Sequence, residues 1–98
     1  MNDDQVYAAL RSVVDPELGI DVVELGLVYG VQIDGGDVHV RMTMTSAACP
    51  MHGHLTQLAA NAVRRQVAGA TEVTVEVVFD PQWTPEMMSA EARRKLGW

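Results

Sequence analysis

From Asp3 to Val14 the apolar residues Val6, Leu10, Val13 and Val14 recur at helical spacing, which predicts a first helix, with Asn2 and Gln5 placed as a capping box. The pattern stops at Asp15-Pro16-Glu17-Leu18-Gly19, because proline steers the residue before it away from helical angles and glycine permits angles that other residues resist. Beyond this loop the period changes. Val22 and Val23 suggest a short strand, and Gly26 in its apolar surroundings marks a bulge or tight bend. Tyr29, Val31 and Ile33 then alternate with Gly30 and Gln32 up to Asp34-Gly35-Gly36-Asp37, a hairpin turn. Pairing across it sets Ile33 beside Val38, Val31 beside Val40 and Tyr29 beside Met42, with Met44 on the same apolar face. His39, Arg41, Thr43 and Thr45 fall on the other face.

Helical spacing resumes at Leu55, Leu58, Ala59, Ala62, Val63 and Val67, a stripe suited to the hairpin's apolar side, and Gly69 ends it. Val73, Val75, Val77 and Phe79 alternate along Glu72 to Phe79, a strand that closes at Asp80-Pro81. The tail from Thr84-Pro85 to Gly97-Trp98 is helical in part, with Thr84 as the expected cap. The order α-β-β-α-β-α predicts an α/β (α+β) fold. We expect residues 1–98 to form a single two-layer domain, a small mixed sheet with helices packed on one face.

Composition narrows what such a domain can do. Its apolar share of 48% includes only two Trp, two Tyr and one Phe, so the core is aliphatic. A formal charge of -6 opposes contact with phosphate backbones and anionic bilayers, so neither nucleic acid nor membrane is an expected partner. The N-terminus has no basic region leading into an apolar stretch, and no run approaches the ~20 apolar residues needed to span a bilayer. A cytoplasmic setting is therefore expected. The one cysteine cannot form an internal disulfide, so Cys49 works as a free thiol or with a partner's ligands.

The segment with the most chemistry is Thr43-Met44-Thr45-Ser46-Ala47-Ala48-Cys49-Pro50, where a strand hands over to the second helix. Proline is favoured at a first helical position, so Pro50 sets Cys49 near the helix cap, where unpaired N–H groups and the dipole favour a thiolate. Ala47 and Ala48 leave room for a ligand, and Thr45 and Ser46 offer hydroxyls. The alternatives are an inert cysteine, a Cys-His-His metal site with His52 and His54, and a thiol nucleophile with a histidine base. Asp15 and Glu17 flank a proline that can aim two carboxylates at one point, or they are solvated acids of a turn. Trp83 is large for a loop and is expected to pack over the domain edge or a partner.

Taken in order, Asp15-Pro16-Glu17-Leu18, Val23-Glu24-Leu25-Gly26-Leu27-Val28-Tyr29, Met42 through Pro50, and Asp80-Pro81-Gln82-Trp83-Thr84-Pro85 resemble the iron–sulfur cluster assembly family that includes SufT and the PaaD-like proteins. The resemblance runs along nearly the whole chain and implies a role in maturing iron–sulfur proteins, as carrier, adaptor or assembly factor. By position it implies Cys49 as the metal ligand and Asp15, Glu17, Thr45 and Ser46 as the polar groups beside the cluster. It gives no role to His52 or His54. PaaD-like members look extended by a cysteine-bearing C-terminal segment, whereas this chain stops at Trp98, so the general assembly branch is expected. A cluster usually takes four protein ligands and one chain offers one thiolate, so the expected cofactor is a labile iron–sulfur cluster shared between two chains of a homodimer. Scaffold proteins and apo-clients are the implied partners, and no enzymatic activity is expected. Two other functions remain open: a metal-free adaptor for clients or assembly proteins, and a thiol-dependent enzyme.

Overall fold

The computed structural model describes residues 1–16, 18–45 and 53–98, together with the backbone of residue 52. The first helix, α1, spans Asp3–Leu10 and starts on the expected capping box, Gln5 N–H donating to Asn2 Oδ1 and Asn2 N–H to Gln5 Oε1, both at 3.0 Å. It buries Val6, Ala9 and Leu10. The helix ends four residues before the predicted Val14. Ser12 N–H and Val13 N–H tighten onto the Ala9 and Leu10 carbonyls, and Val14 then forms an isolated antiparallel bridge with Asp21. Val13 still reaches the core, while Val14 is left 45% exposed.

The expected strand at Val22 and Val23 is a turn instead. Asp21 Oδ2 accepts from the N–H groups of Val23 and Glu24, both at 3.0 Å, and Leu25 N–H closes onto the Asp21 carbonyl. A carboxylate that satisfies two successive N–H groups stabilises one helical turn against the extended form that two valines would otherwise favour. The turn buries Val22, Leu25 and Leu27 completely. Gly26 ends it at φ +76°, and a Cβ there would overlap the Met87 carbonyl. The tight bend predicted at Gly26 is thus a close approach of two backbones.

Strand β1 (Val28–Asp34) pairs antiparallel with β2 (Asp37–Met42), and the two-residue turn between them uses Gly35 at φ +61°. Ile33 faces Val38 and Val31 faces Val40, as predicted. The third pair differs, because a bulge between Val28 and Gly30 makes Val28, not Tyr29, the partner of Met42. The extra residue re-aims Tyr29, whose hydroxyl donates to the Pro81 carbonyl at 2.8 Å.

Helix α2 (His52–Gln66) buries Leu55, Ala59, Ala62 and Val63, with Val67 just beyond its end. Gly69 at φ +92° turns the chain into β3 (Glu72–Val77), which lies parallel to β2 with Met42 opposite Val77. This strand is two residues shorter than predicted, and Phe79 is 42% exposed. The tail forms a 3-10 turn at Pro85–Met87 and then α3 (Ala90–Leu96). Thr84 occupies the expected cap position before Pro85 in the 3-10 turn, though its side chain makes no capping bond, and α3 has its own cap in Ser89, whose Oγ accepts from Ala92 N–H.

The three strands form one mixed sheet in the order β1-β2-β3. Val38, Val40 and Met42 point into a core shared with α1 and α2, while His39 pairs with Glu76 across the opposite face at 2.9 Å. Alternation places Thr43 on that outer face, yet it is fully buried.

Two glycines separate backbone conformation from backbone contact. Gly19 has φ +71° with open space around it, so Gly19→Ala is expected to cost about 1 kcal/mol from the left-handed angle alone. Gly26→Ala adds the overlap with Met87 and should cost at least about twice as much, lowering the melting temperature by roughly 4–8 °C per kcal/mol. Thermal unfolding of both variants checks this; equal losses would mean the Gly26–Met87 approach carries no energy.

Candidate functional site

Because β1 runs antiparallel and β3 parallel to β2, the start of β1 and the ends of β2 and β3 lie at one end of the sheet. Main-chain bonds join the loops there. Val22 N–H donates to the Val13 carbonyl and Leu27 N–H to the Val22 carbonyl, each at 3.0 Å, and Thr43 N–H donates to the Leu27 carbonyl at 2.7 Å. On the other side of β2, Val78 N–H donates to the Met42 carbonyl at 2.8 Å. The loop that carries Asp15 is thereby tied, through three bonds, to the segment that leads from β2 toward Cys49.

Asp15 is a built feature of that loop. It is 6% exposed, its Oδ1 accepts from Leu18 N–H at 3.2 Å, its carbonyl accepts from Gly19 N–H and its own N–H donates to the Ile20 carbonyl. A buried aspartate holding its own turn differs from the solvated acid that composition alone allows. Thr45 lies half-buried in a bend two residues past Thr43. Glu17, Ser46 and Cys49 lie outside the described residues, as does the side chain of His52. His54 is exposed in the first turn of α2, and among the described residues no three His, Cys, Asp or Glu side chains gather to hold a metal ion. Of the five predicted residues the structure therefore brings Asp15 and Thr45 to the same end of the sheet.

Two features of this end were not read from the sequence. The segment after β3 leaves the sheet at β3 but bonds to Tyr29 of β1 and to Leu25 shortly before that strand, so it crosses the C-terminal end of β2. Trp83 serves this crossing: its Nε1–H donates to the Leu25 carbonyl at 2.7 Å and its ring packs on the core. At the crossed place Met42, Thr43 and Met44 are buried in succession, at 0%, 0% and 2% exposure. Strand alternation cannot signal this, because it describes a sheet covered on one face only. The second feature is Thr43 Oγ1, the one buried side-chain polar atom without a hydrogen-bond partner among the described residues. An unpaired buried hydroxyl costs about 1–3 kcal/mol.

A separate groove of about 160 Å³ lies between α1, the 19–21 stretch and α3. Its lining includes Arg11, Glu24 and Lys95 but neither Asp15 nor Thr45. Arg11 Nη1 donates to Glu24 Oε1 at 2.6 Å, and hydrogen bonding from the Ser89 side chain, followed by that from Arg11, holds the Glu24 carboxyl below its usual range. With Ser89 N–H donating to the Glu24 carbonyl, this residue fastens α1 and α3 to the 22–26 turn.

Comparison with known proteins supplies the family context. Residues 3–77 match the family model described as "Iron-sulfur cluster assembly protein". The chain is 42% identical over 98 residues to the "Fe-S protein maturation auxiliary factor YitW" of Bacillus subtilis, covering 96% of this chain and 92% of that protein. It is 43% identical over 86 residues to the "Fe-S protein maturation auxiliary factor SufT" of Staphylococcus aureus, covering 87% of this chain and 97% of that protein. A crystal structure of a domain of unknown function from Bacillus anthracis superposes with a TM-score of 0.94 at 42% identity, over 97% of this chain and 91% of that one.

The Glu24 contacts have a pH signature. A carboxyl whose folded pKa is depressed contributes stability above its ordinary pKa of 4.5, and that contribution disappears as pH falls through the lower folded value. Glu24→Gln should therefore melt below wild type at neutral pH, with the gap closing under acid and narrowing in salt because the pair is partly exposed. Melting curves from pH 7 to pH 3 check this; a gap that stays constant with pH would show that the charge of Glu24 contributes nothing.

Proposed function

The chain belongs to the iron–sulfur cluster assembly protein family, and on that premise we propose that it acts in the maturation of iron–sulfur proteins, taking a labile cluster as cargo on the Cys49 thiolate. The observation that carries this is the tie between the Asp15 loop and the segment running from Thr43 toward Cys49, which sets two of the family-like motifs at one end of the sheet. Asp15, Glu17, Thr45 and Ser46 are the proposed polar surroundings of the cargo. The hydroxyls of Thr45 and Ser46 can donate hydrogen bonds to its sulfurs, a means by which proteins tune such clusters, while the carboxylates of Asp15 and Glu17 can accept from the N–H groups of small thiols that complete it. The proposed working unit is the whole of residues 1–98, since Met88 and Ala92 belong to the same core as the matched region.

Ligand counting shapes the mechanism. One chain supplies one thiolate where a cluster usually takes four ligands, so the proposed loaded form is a homodimer with two Cys49 residues bridged by the cluster and completed by small thiols or a client's ligands. Such a site exchanges ligands readily, which suits passing a cluster from a scaffold protein to an apo-client and requires no catalytic residue. The cytoplasm is the proposed setting, where a lone thiol stays reduced. Among the described residues no helix is long and apolar enough to cross a membrane.

Anaerobic reconstitution with iron and sulfide, followed by visible absorption, metal analysis and solution mass, tests this. The expected result is a coloured dimer for wild type and a colourless protein for Cys49→Ser. If neither protein binds iron, the carrier function fails and a metal-free adaptor takes its place.

A further inference from the structure

Tyr29 and Met87 meet where the segment after β3 reaches β1. The Tyr29 hydroxyl has one proton to donate, yet two acceptors stand within its reach: the Pro81 carbonyl at 2.8 Å and Met87 Sδ at 3.4 Å. A thioether is the weaker acceptor, so the proton goes to Pro81 and fastens the crossing. The Met87 backbone is held beside this pair, because it lies against Gly26 and its N–H donates to the Thr84 carbonyl at 3.0 Å. Met87 is 36% exposed, whereas Met88 next to it is 5% exposed and Met42 and Met44 are at 0% and 2%. Reagents dissolved in water therefore reach this thioether ahead of those three. We propose that Met87 is a site of oxidation by peroxides, at which the sulfoxide oxygen takes the Tyr29 hydrogen bond from the Pro81 carbonyl and loosens the crossing. A sulfur lone pair attacks one oxygen of hydrogen peroxide, and the O–O bond breaks as the S–O bond forms. The proton on the transferred oxygen passes to the departing hydroxide, which leaves as water; sulfur loses two electrons and the peroxide gains them. The side chain becomes polar where it was apolar, with an oxygen that accepts the Tyr29 proton far better than the thioether does, and sulfoxide reductases reverse the change. Neither cargo nor Cys49 takes part, so this step stands or falls apart from the carrier function.

Hydrogen peroxide added to the isotopically labelled full chain tests this. Peptide mass mapping follows each methionine, and the carbonyl-carbon resonance of Pro81 reports the hydrogen bond from Tyr29. Met87 should oxidise roughly tenfold faster than Met42, Met44 and Met88. The Pro81 resonance should move as Met87 oxidises, and the Trp83 indole N–H that bonds to Leu25 should exchange with solvent roughly tenfold faster. Methionine sulfoxide reductase should restore both. Met87→Leu, which leaves every other methionine oxidisable, should abolish both changes. In Tyr29→Phe the Pro81 resonance should start displaced and stay there when Met87 oxidises. The proposal is overturned if Met87 oxidises no faster than Met88, if its oxidation leaves the Pro81 resonance in place, or if that resonance moves equally in peroxide-treated Met87→Leu.

Discussion

The parallel pairing of β3 with β2 constrains the end of the sheet where β2 stops, the end proposed to hold the cargo. A parallel neighbour must be reached by a crossover, here α2, and it delivers the chain to the same end of the sheet that β2 has just left. To continue, the chain has to pass the C-terminal end of β2, and the bonds from Tyr29 to Pro81 and from Trp83 to Leu25 fix that path. Gly26 permits the approach because no side chain stands between its backbone and Met87. Met42, Thr43 and Met44 are all buried at this end, so the segment that leads toward Cys49 starts from a buried anchor.

Weak holding of the cargo is the proposed complement to this buried framework. The chain's formal charge of -6 supplies no long-range attraction for an anionic cargo, and exposed charges are screened within roughly 8–10 Å in any case. On the proposed function, retention depends on short-range bonds: the Cys49 thiolate, and hydrogen bonds from polar groups beside it. The proposed site, with one thiolate per chain, is suited to receiving and releasing a cluster rather than keeping it.

Much of this architecture was legible in the sequence because it rests on local pattern. The capping box at Asn2 and Gln5, the helical stripe from Leu55 to Val67 and the alternation of Val31, Ile33, Val38 and Val40 each declare one element and one buried face. The errors arise where a side-chain hydrogen bond, local or distant, overrides the pattern. Val22 and Val23 favour a strand until Asp21 caps a turn beneath them, and Tyr29 leaves the register to reach Pro81, 52 residues away in sequence. Thr43 carries the pattern of a solvent-facing strand residue, yet it is fully buried where β2 has ended and alternation no longer applies. The candidate site rests on motif resemblance; of its residues Asp15 has a defined environment, Thr45 lies half-buried, and Glu17, Ser46 and Cys49 lie outside the described residues.

The central claim is that cargo is held at the end of the sheet where β2 stops. Backbone amide spectra of the isotopically labelled protein, recorded before and after anaerobic cluster loading, test it most directly, since a paramagnetic cluster broadens the nearest resonances. Broadening should concentrate on residues 15–19, 25–29 and 43–45. Broadening centred instead on His39 and Glu76 across the outer sheet face, or on the groove lined by Arg11 and Lys95, would contradict the account.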